Sequence, residues 1–84
     1  MDYRVEIVPS AEHQFRKLNS SLQNRITPKL VSLEVNPRPF GSKKLRDTFY
    51  YRLRVGDYRI IYAVDDRERL VKILDIAHRR EVYR

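Results

Sequence analysis

Residues 49–83 read FYYRLRVGDYRIIYAVDDRERLVKILDIAHRREVY, and this half of the chain decides the fold. Three stretches, residues 49–55, 58–65 and 70–77, alternate apolar and basic side chains and are rich in aromatic and β-branched residues. Short polar connectors separate them, VGDY between the first pair and DDRER between the second. This pattern predicts an antiparallel meander of three strands.

The first strand of this meander separates its side chains by charge. Successive side chains of a strand point to opposite sides, so Tyr50, Arg52 and Arg54 share one face. The opposite face carries the apolar set Phe49, Tyr51, Leu53 and Val55. Charged groups cost little only where they meet solvent or a polar ligand. The basic face is therefore predicted to carry function, with the rest of the chain packed behind the sheet.

The N-terminal residues predict one strand and one helix. Residues 3–8, YRVEIV, alternate with period two, and Pro9 ends this strand. Ser10 then stands where a helix N-cap is favoured, ahead of a helix over residues 11–18 that points Phe15 inward.

A second helix is predicted from hydrophobic spacing. Residues 19–21, NSS, offer a cap, and residues 36–39, NPRP, end the helix near position 35 because the residue before a proline avoids helical angles. Pro28 lies inside this helix, and the sequence leaves open whether it bends or breaks it. The apolar residues that recur every three or four positions are Leu22, Ile26, Leu30 and Leu33.

These elements predict an α+β fold of order β-α-α-β-β-β in a single domain over residues 1–84. The two N-terminal helices are expected to pack on one face of a small, mainly antiparallel sheet, since their apolar stripes must be buried. Residues 40–48 form a basic connector without clear period. No apolar run approaches the roughly 20 residues of a membrane span, so a cytoplasmic protein with no membrane partner is expected.

The charge balance points to an anionic partner. The chain has 18 Lys and Arg against 11 Asp and Glu, a net charge of +7. Such an excess favours a nucleic acid or an acidic protein partner, and an ordinary solvated surface is the alternative. The densest basic stretch contains Lys43, Lys44, Arg46, Arg52, Arg54 and Arg59.

Several kinds of catalytic site are excluded by composition. The chain has no cysteine and only two glycines, which rules out thiolate chemistry and a glycine-rich phosphate loop. His13 and His78 fall in different elements, so neither a metal nor a cofactor is predicted. The residues that remain as candidates for a catalytic site are arginines and tyrosines. Guanidinium groups stabilise the negative charge of a phosphorane, and Tyr83 follows Arg79 and Arg80 closely, although a packed tyrosine beside a solvated arginine face is the alternative.

Two blocks of sequence carry a family resemblance. They are YRLRVGDYRIIY at residues 51–62 and HRREVY at residues 78–83, with KLR at residues 44–46 ahead of them. In these blocks the chain resembles the RelE-type toxins of the RelE/ParE superfamily. The resemblance implies a toxin of a type II toxin–antitoxin system. It also implies a ribosome-dependent, metal-independent endoribonuclease that cuts mRNA in the ribosomal A site and so inhibits translation.

The resemblance also implies residue roles. Arg59 matches the strand arginine that stabilises the scissile phosphate, and Tyr83 matches the C-terminal tyrosine proposed as the base. Arg79 best matches the arginine proposed to protonate the leaving group, with Arg80 left open by the local spacing. Arg52 falls at one of two strand lysines of the family, and the other falls at Tyr50, which has no charge.

The implied partners are a RelB-like antitoxin, the ribosome and mRNA. Two alternatives stay open, a ParE-like inhibitor of DNA gyrase and an inactive homologue that only binds its antitoxin. The residues predicted to bind RNA phosphates around the catalytic set are Lys43, Lys44, Arg46, Arg52, Arg54 and Arg80.

Overall fold

The structure is a computed structural model that describes residues 2–82. Five strands and three helices follow one another in the order strand, two helices, four strands and a short helix. Their bounds are β1 Arg4–Ile7, α1 Pro9–Arg16, α2 Ser20–Ser32, β2 Lys43–Lys44, β3 Tyr50–Val55, β4 Tyr58–Asp65, β5 Leu70–His78 and α3 Arg79–Val82.

The strands form one five-stranded sheet in the order β1-β5-β4-β3-β2. β1 is parallel to β5, and the remaining neighbours are antiparallel. The meander β3-β4-β5 predicted from the sequence is therefore confirmed, as is the α+β class with a mainly antiparallel sheet. The pairing of β4 with β5 contains one bulge. Ile61 pairs with Asp75 and the next residue, Tyr62, pairs with Ile73, so Leu74 has no partner residue on β4.

The core lies between the helices and one face of the sheet, as the sequence predicts. The helices contribute Ala11 from α1 and Ile26 and Leu30 from α2, each at most 6% exposed. Phe15 of α1 packs against this cluster as a partly buried side chain. The sheet contributes Leu53, Val55, Ile60, Tyr62, Val71, Ile73 and Ile76.

The start of α1 differs from the sequence prediction. The helix begins at Pro9 rather than after a Ser10 cap, with Val8 in the N-cap position and no side-chain cap bond. Proline is well suited to the first helical position, because its φ is already helical and the N–H it lacks would have no helical partner there. The helix ends at Arg16, and the next two residues continue as tighter turns, with Leu18 N donating to Phe15 O.

Helix α2 runs without a break through Pro28. Asn19 caps it by accepting a hydrogen bond from Leu22 N at 2.9 Å, as the NSS sequence predicts. Pro28 is exposed, and so is Asn24, whose carbonyl loses the donor that residue 28 would normally supply. The helix ends at Ser32, three residues before the predicted end, where the chain tightens into turns of shorter span.

The structure contains two elements, β2 and α3, that were not predicted from the sequence. β2 falls within the stretch expected to be a connector, and it exists only as a two-residue pairing of Lys43 with Arg52 and of Lys44 with Tyr51. The short α3 follows β5 directly. Tyr83 lies outside the described residues.

A polar cluster closes the sheet at the end where β4 turns into β5. The Arg38 guanidinium donates to both carboxylate oxygens of Asp66, at 2.9 and 3.2 Å, and its Nε donates to Tyr51 Oη at 2.8 Å. Tyr3 Oη donates to the same carboxylate at 2.6 Å. One carboxylate thereby joins the N-terminus, the loop after α2 and the β4–β5 turn.

Beneath this cluster, Tyr62 anchors the same loop from inside the core. Its ring is fully buried and stacks on Tyr51 with centroids 5.7 Å apart, while its hydroxyl donates to Pro37 O at 2.8 Å. Burial raises the pKa of Tyr62, so the hydroxyl keeps its proton and stays a donor.

Tyr62→Phe is expected to destabilise the protein by about 1–3 kcal/mol, because the buried Pro37 carbonyl loses its donor while the ring is retained. Urea unfolding measures the change, with Tyr50→Phe as the matched control at a 45% exposed position. Equal stability of the two variants would contradict a contribution from the Tyr62 hydroxyl.

Asp66→Asn is expected to lower stability at neutral pH and to have no effect in acid. The hydrogen bonds from Arg38 and Tyr3 hold the pKa of the Asp66 carboxyl below its ordinary value. A carboxylate with a depressed folded-state pKa stabilises above its unfolded pKa of about 4 and loses that contribution as the pH falls through the folded value. Thermal melts at a series of pH values should show the gap between wild type and Asp66→Asn closing below about pH 4. A difference in melting temperature between wild type and Asp66→Asn that is the same at every pH would refute a contribution from the Asp66 charge.

Candidate active site

The tight turn between β3 and β4 organises the basic side of the sheet. Val55 pairs with Tyr58, so only Gly56 and Asp57 form the loop. Gly56 has a φ of +60°, a conformation that the first loop residue of a two-residue hairpin turn requires and that glycine adopts without strain. The turn brings the last arginine of β3 opposite the first arginine of β4, since Arg54 pairs with Arg59.

Three guanidinium side chains line a small cleft at this turn. They belong to Arg54, Arg59 and Arg79, and the cleft has a volume of about 20 Å³, room for little more than one water-sized group. Arg59 is the most enclosed of the three at 3% exposed, whereas Arg54 and Arg79 are exposed. The remaining walls are Gly56, Asp57 and Tyr58.

Arg79 reaches the cleft through a backbone contact between distant segments. Its N–H donates to Asp57 O at 2.8 Å, which fastens the start of α3 to the β3–β4 turn. The neighbouring residue His78 pairs with Tyr58 across the sheet, and their rings meet edge to face with centroids 5.3 Å apart. Arg80 is exposed and is not among the residues that line the cleft.

The electrostatics of the cleft favour an anion. Among the described residues that line the cleft, three are arginines and one, Asp57, is an acid. Like charges directly opposite each other on neighbouring strands repel. A phosphate group placed between the guanidinium forks would relieve this repulsion and accept paired hydrogen bonds. The arrangement can therefore bind a phosphate and stabilise additional negative charge on it during a reaction.

The other residues predicted to bind RNA extend from the cleft along β3 and β2. Arg52 follows Arg54 on the same face, and Lys43 pairs with Arg52 from the neighbouring strand. Lys44 ends β2, and Arg46 lies in the loop that joins β2 to β3. Lys44 Nζ stands 5.8 Å from the centre of the 82% exposed Phe49 ring in this loop. Tyr83, the predicted base, falls outside the described residues.

Four residues near the cleft were not predicted as site residues from the sequence. Gly56, Asp57 and Tyr58 have the pattern of ordinary connector residues, although their place in a turn between two basic strands was a usable signal. Arg25 gives no such signal, because it lies on α2, far from the turn in sequence. A Cβ atom on Gly56 would lie 2.9 Å from Arg25 Nη2, so this guanidinium rests against the turn.

The part of the chain that the structure describes, residues 2–82, lacks two features, a cluster of metal ligands and a membrane-spanning helix. This part of the chain has no group of three or more His, Cys, Asp or Glu side chains arranged to hold a metal ion. It also has no helix long and apolar enough to cross a membrane.

Comparison with known proteins gives the family. Residues 5–83 match the family described as "ParE toxin of type II toxin-antitoxin system, parDE". The chain is 32% identical to the mRNA interferase toxin RelE of Escherichia coli, over 99% of this chain and 92% of that protein. It is 33% identical to Toxin RelE of Mycobacterium tuberculosis, over 98% of this chain and 87% of that protein.

A solved structure agrees with this family. The archaeal RelE–RelB complex from Pyrococcus horikoshii contains a chain that superposes with a TM-score of 0.84 at 34% identity, covering 94% of this chain and 97% of that one. The fold thus falls in the class of type II toxin–antitoxin toxins. The chain belongs to the ParE toxin family, with RelE toxins among its relatives, and this confirms the resemblance found in the sequence.

Proposed function

We propose that this protein is a ribosome-dependent, metal-independent endoribonuclease that cleaves mRNA in the ribosomal A site. The observation that carries the proposal is the convergence of Arg54, Arg59 and Arg79 on one cleft. It occurs in a chain similar over nearly its whole length to a protein named mRNA interferase toxin RelE. Phosphodiester cleavage needs stabilisation of developing negative charge above all, and preorganised guanidinium groups supply it.

The proposed reaction uses the RNA's own 2′-hydroxyl as nucleophile. Its oxygen forms a bond to the adjacent phosphorus while the bond from phosphorus to the 5′-oxygen of the next nucleotide breaks, which leaves a cyclic phosphate. The proton of the 2′-hydroxyl passes to Tyr83 as base, and the departing oxygen receives a proton from Arg79. Arg59 and Arg54 hold the phosphorane oxygens, and the enclosure of Arg59 strengthens its contact because little water competes there.

The basic residues beyond the cleft would bind the RNA without taking part in the chemistry. Arg52 and Lys43 continue the positive face of the sheet from Arg54 toward the β2–β3 hairpin. Lys44 and Arg46 add charge beside the exposed ring of Phe49, a combination that suits phosphates and unstacked bases together. Arg80 is exposed next to Arg79, so it would meet the RNA outside the cleft.

A RelB-like antitoxin is the proposed protein partner. Relatives of the same fold were solved as RelE–RelB complexes. An apolar groove of about 330 Å³ between β1 and the two helices is a suitable seat for apolar antitoxin side chains. At the open side of the groove Ile7 is 37% and Val31 54% exposed. Burial of this surface would stabilise the toxin by mass action.

The alternative is a ParE-like inhibitor of DNA gyrase, and the name of the matched family favours it. The arginine cleft favours the nuclease instead, because inhibition by binding alone needs no guanidinium groups that converge on one cleft. A catalytically inactive homologue that binds only its antitoxin is the third hypothesis. Primer extension on mRNA after induction separates the nuclease from the other two hypotheses, since only the nuclease produces cuts at codon positions.

Variants of the cleft test the nuclease directly. Arg59→Ala is expected to reduce cleavage on programmed ribosomes by about 10²–10³, more than it reduces binding, because the contact strengthens as the phosphorane forms. Arg59→Met keeps most of the buried volume without the charge and should be equally impaired, and thermal melts check that both variants are folded. Tyr83→Phe should lose about 10²–10⁴ if Tyr83 is the base. Full activity of the Arg59 variants would overturn the proposal. Full activity of Tyr83→Phe alone would remove only that residue from the catalytic set.

A charge placed in the apolar groove tests the antitoxin site. Val31→Glu is expected to weaken antitoxin binding by about tenfold or more, since a carboxylate would have to be desolvated against apolar antitoxin side chains. Lys29→Glu, at an exposed position on the opposite side of the same helix, is the control. Titration calorimetry with the antitoxin measures both. Unchanged binding of Val31→Glu, with Lys29→Glu also unchanged, would place the antitoxin elsewhere.

A further inference from the structure

Arg25 lies close to the cleft and has no role in the reaction proposed above. It extends from α2 to the β3–β4 turn, where an added Cβ on Gly56 would approach its Nη2 to 2.9 Å and its Cζ to 3.4 Å. Gly56 itself is a wall of the cleft formed by the three arginines. A fourth guanidinium therefore lies beside the turn that forms one wall of the cleft, brought there from the helical layer.

No acid neutralises this guanidinium within the described chain. Arg25 takes part in none of the ion pairs seen among the described side chains, which include Arg4 with Glu6, Arg16 with Glu12 and Arg38 with Asp66. It also takes part in no hydrogen bond among those side chains. Arg25 is exposed, so an incoming anion can reach this side chain. A positive charge beside the turn that forms no ion pair attracts an anion.

We propose that Arg25 forms a second phosphate subsite at the rim of the cleft. It would hold the RNA backbone phosphate adjacent to the one that Arg54, Arg59 and Arg79 engage. The inference rests on the proposed ribonuclease function and specifies how its substrate strand is held. Guanidinium forks match phosphate oxygens in geometry and charge, and a strand running over the turn presents consecutive phosphates to both positions.

In this proposal Arg25 binds the RNA strand, and the residues of the cleft carry out the chemistry. Arg25 lies behind Gly56 rather than among the guanidinium groups that line the cleft, so it orients the strand without touching the reacting phosphorus. It also gives Gly56 a second requirement besides its positive φ, because any side chain there would displace the guanidinium. A merely structural Arg25, packed on the turn by its aliphatic stem, would contribute to folding and leave RNA binding unchanged.

Binding to programmed ribosomes separates these roles. The probe is an mRNA with a 2′-deoxynucleotide at the cleaved position, which cannot react, and the variant is Arg25→Gln. Arg67→Gln is the matched control, with the same loss of one charge on the exposed β4–β5 turn at the other end of β4. Arg25→Gln is expected to bind about tenfold more weakly than wild type, and its salt dependence should decrease by about one phosphate contact. Single-turnover cleavage at saturation should remain close to the wild-type rate.

Neutral phosphates identify which position Arg25 contacts. A methylphosphonate replaces one backbone phosphate at a time on either side of the cut site, and binding of wild type and Arg25→Gln is compared on each strand. At one neighbouring phosphate, the neutral group should weaken wild type about tenfold and leave Arg25→Gln unaffected, because the partner of that phosphate is already gone. At all other positions, the methylphosphonate and Arg25→Gln should have additive effects on the free energy of binding.

The outcomes distinguish the subsite from the function beneath it. If Arg59→Ala impairs cleavage while Arg25→Gln matches Arg67→Gln in affinity and salt dependence, the subsite is refuted and the nuclease stands. The subsite is likewise refuted if every methylphosphonate effect adds to that of Arg25→Gln. If wild type neither binds nor cuts programmed ribosomes, the proposed function fails and the subsite fails with it. Thermal melts of Arg25→Gln check that the variant is folded at the assay temperature.

Discussion

The register of the β3–β4 hairpin is the constraint on which the rest of the structure depends. Its two-residue turn pairs Val55 with Tyr58 and thereby fixes which face each side chain of both strands takes. A slip of one residue would move the apolar side chains to the open face and the arginines into the core. Gly56 makes the turn possible through its positive φ. The same local geometry therefore assembles the hydrophobic core on one side and the arginine cleft on the other.

That register concentrates like charges in a way that stability alone would not favour. Arg54 and Arg59 stand directly opposite each other, and Lys43 stands opposite Arg52 one strand further. Such pairs destabilise a sheet, and an arginine as enclosed as Arg59 adds a desolvation cost. Local features that oppose stability are typical of functional sites. A bound phosphate would add favourable contacts with these side chains, which links them to the proposed activity.

Elements with strong local periodicity are predictable from this sequence, and elements made by pairing are not. The predicted strand over residues 58–65 coincides with β4, because its aromatic and β-branched residues form a run bounded by turn residues on both sides. β2 has only two residues and exists because Lys43 and Lys44 meet the edge of β3, so no periodic pattern announces it. The predicted start of α1 was wrong because Pro9 was interpreted as the end of the first strand, whereas the structure uses it as the first residue of the helix.

The sequence by itself determined the order of the main elements, the separation of apolar and basic faces on β3, and the arginines and tyrosines on which the function is proposed to depend. Only the tertiary structure decided which of those groups converge. Arg79 reaches the cleft because its N–H bonds to Asp57 O, and Arg25 because α2 packs across the sheet at the β3–β4 turn. The physical reason is that periodicity reports the face on which a side chain lies, whereas distances between elements follow from how the core packs them together.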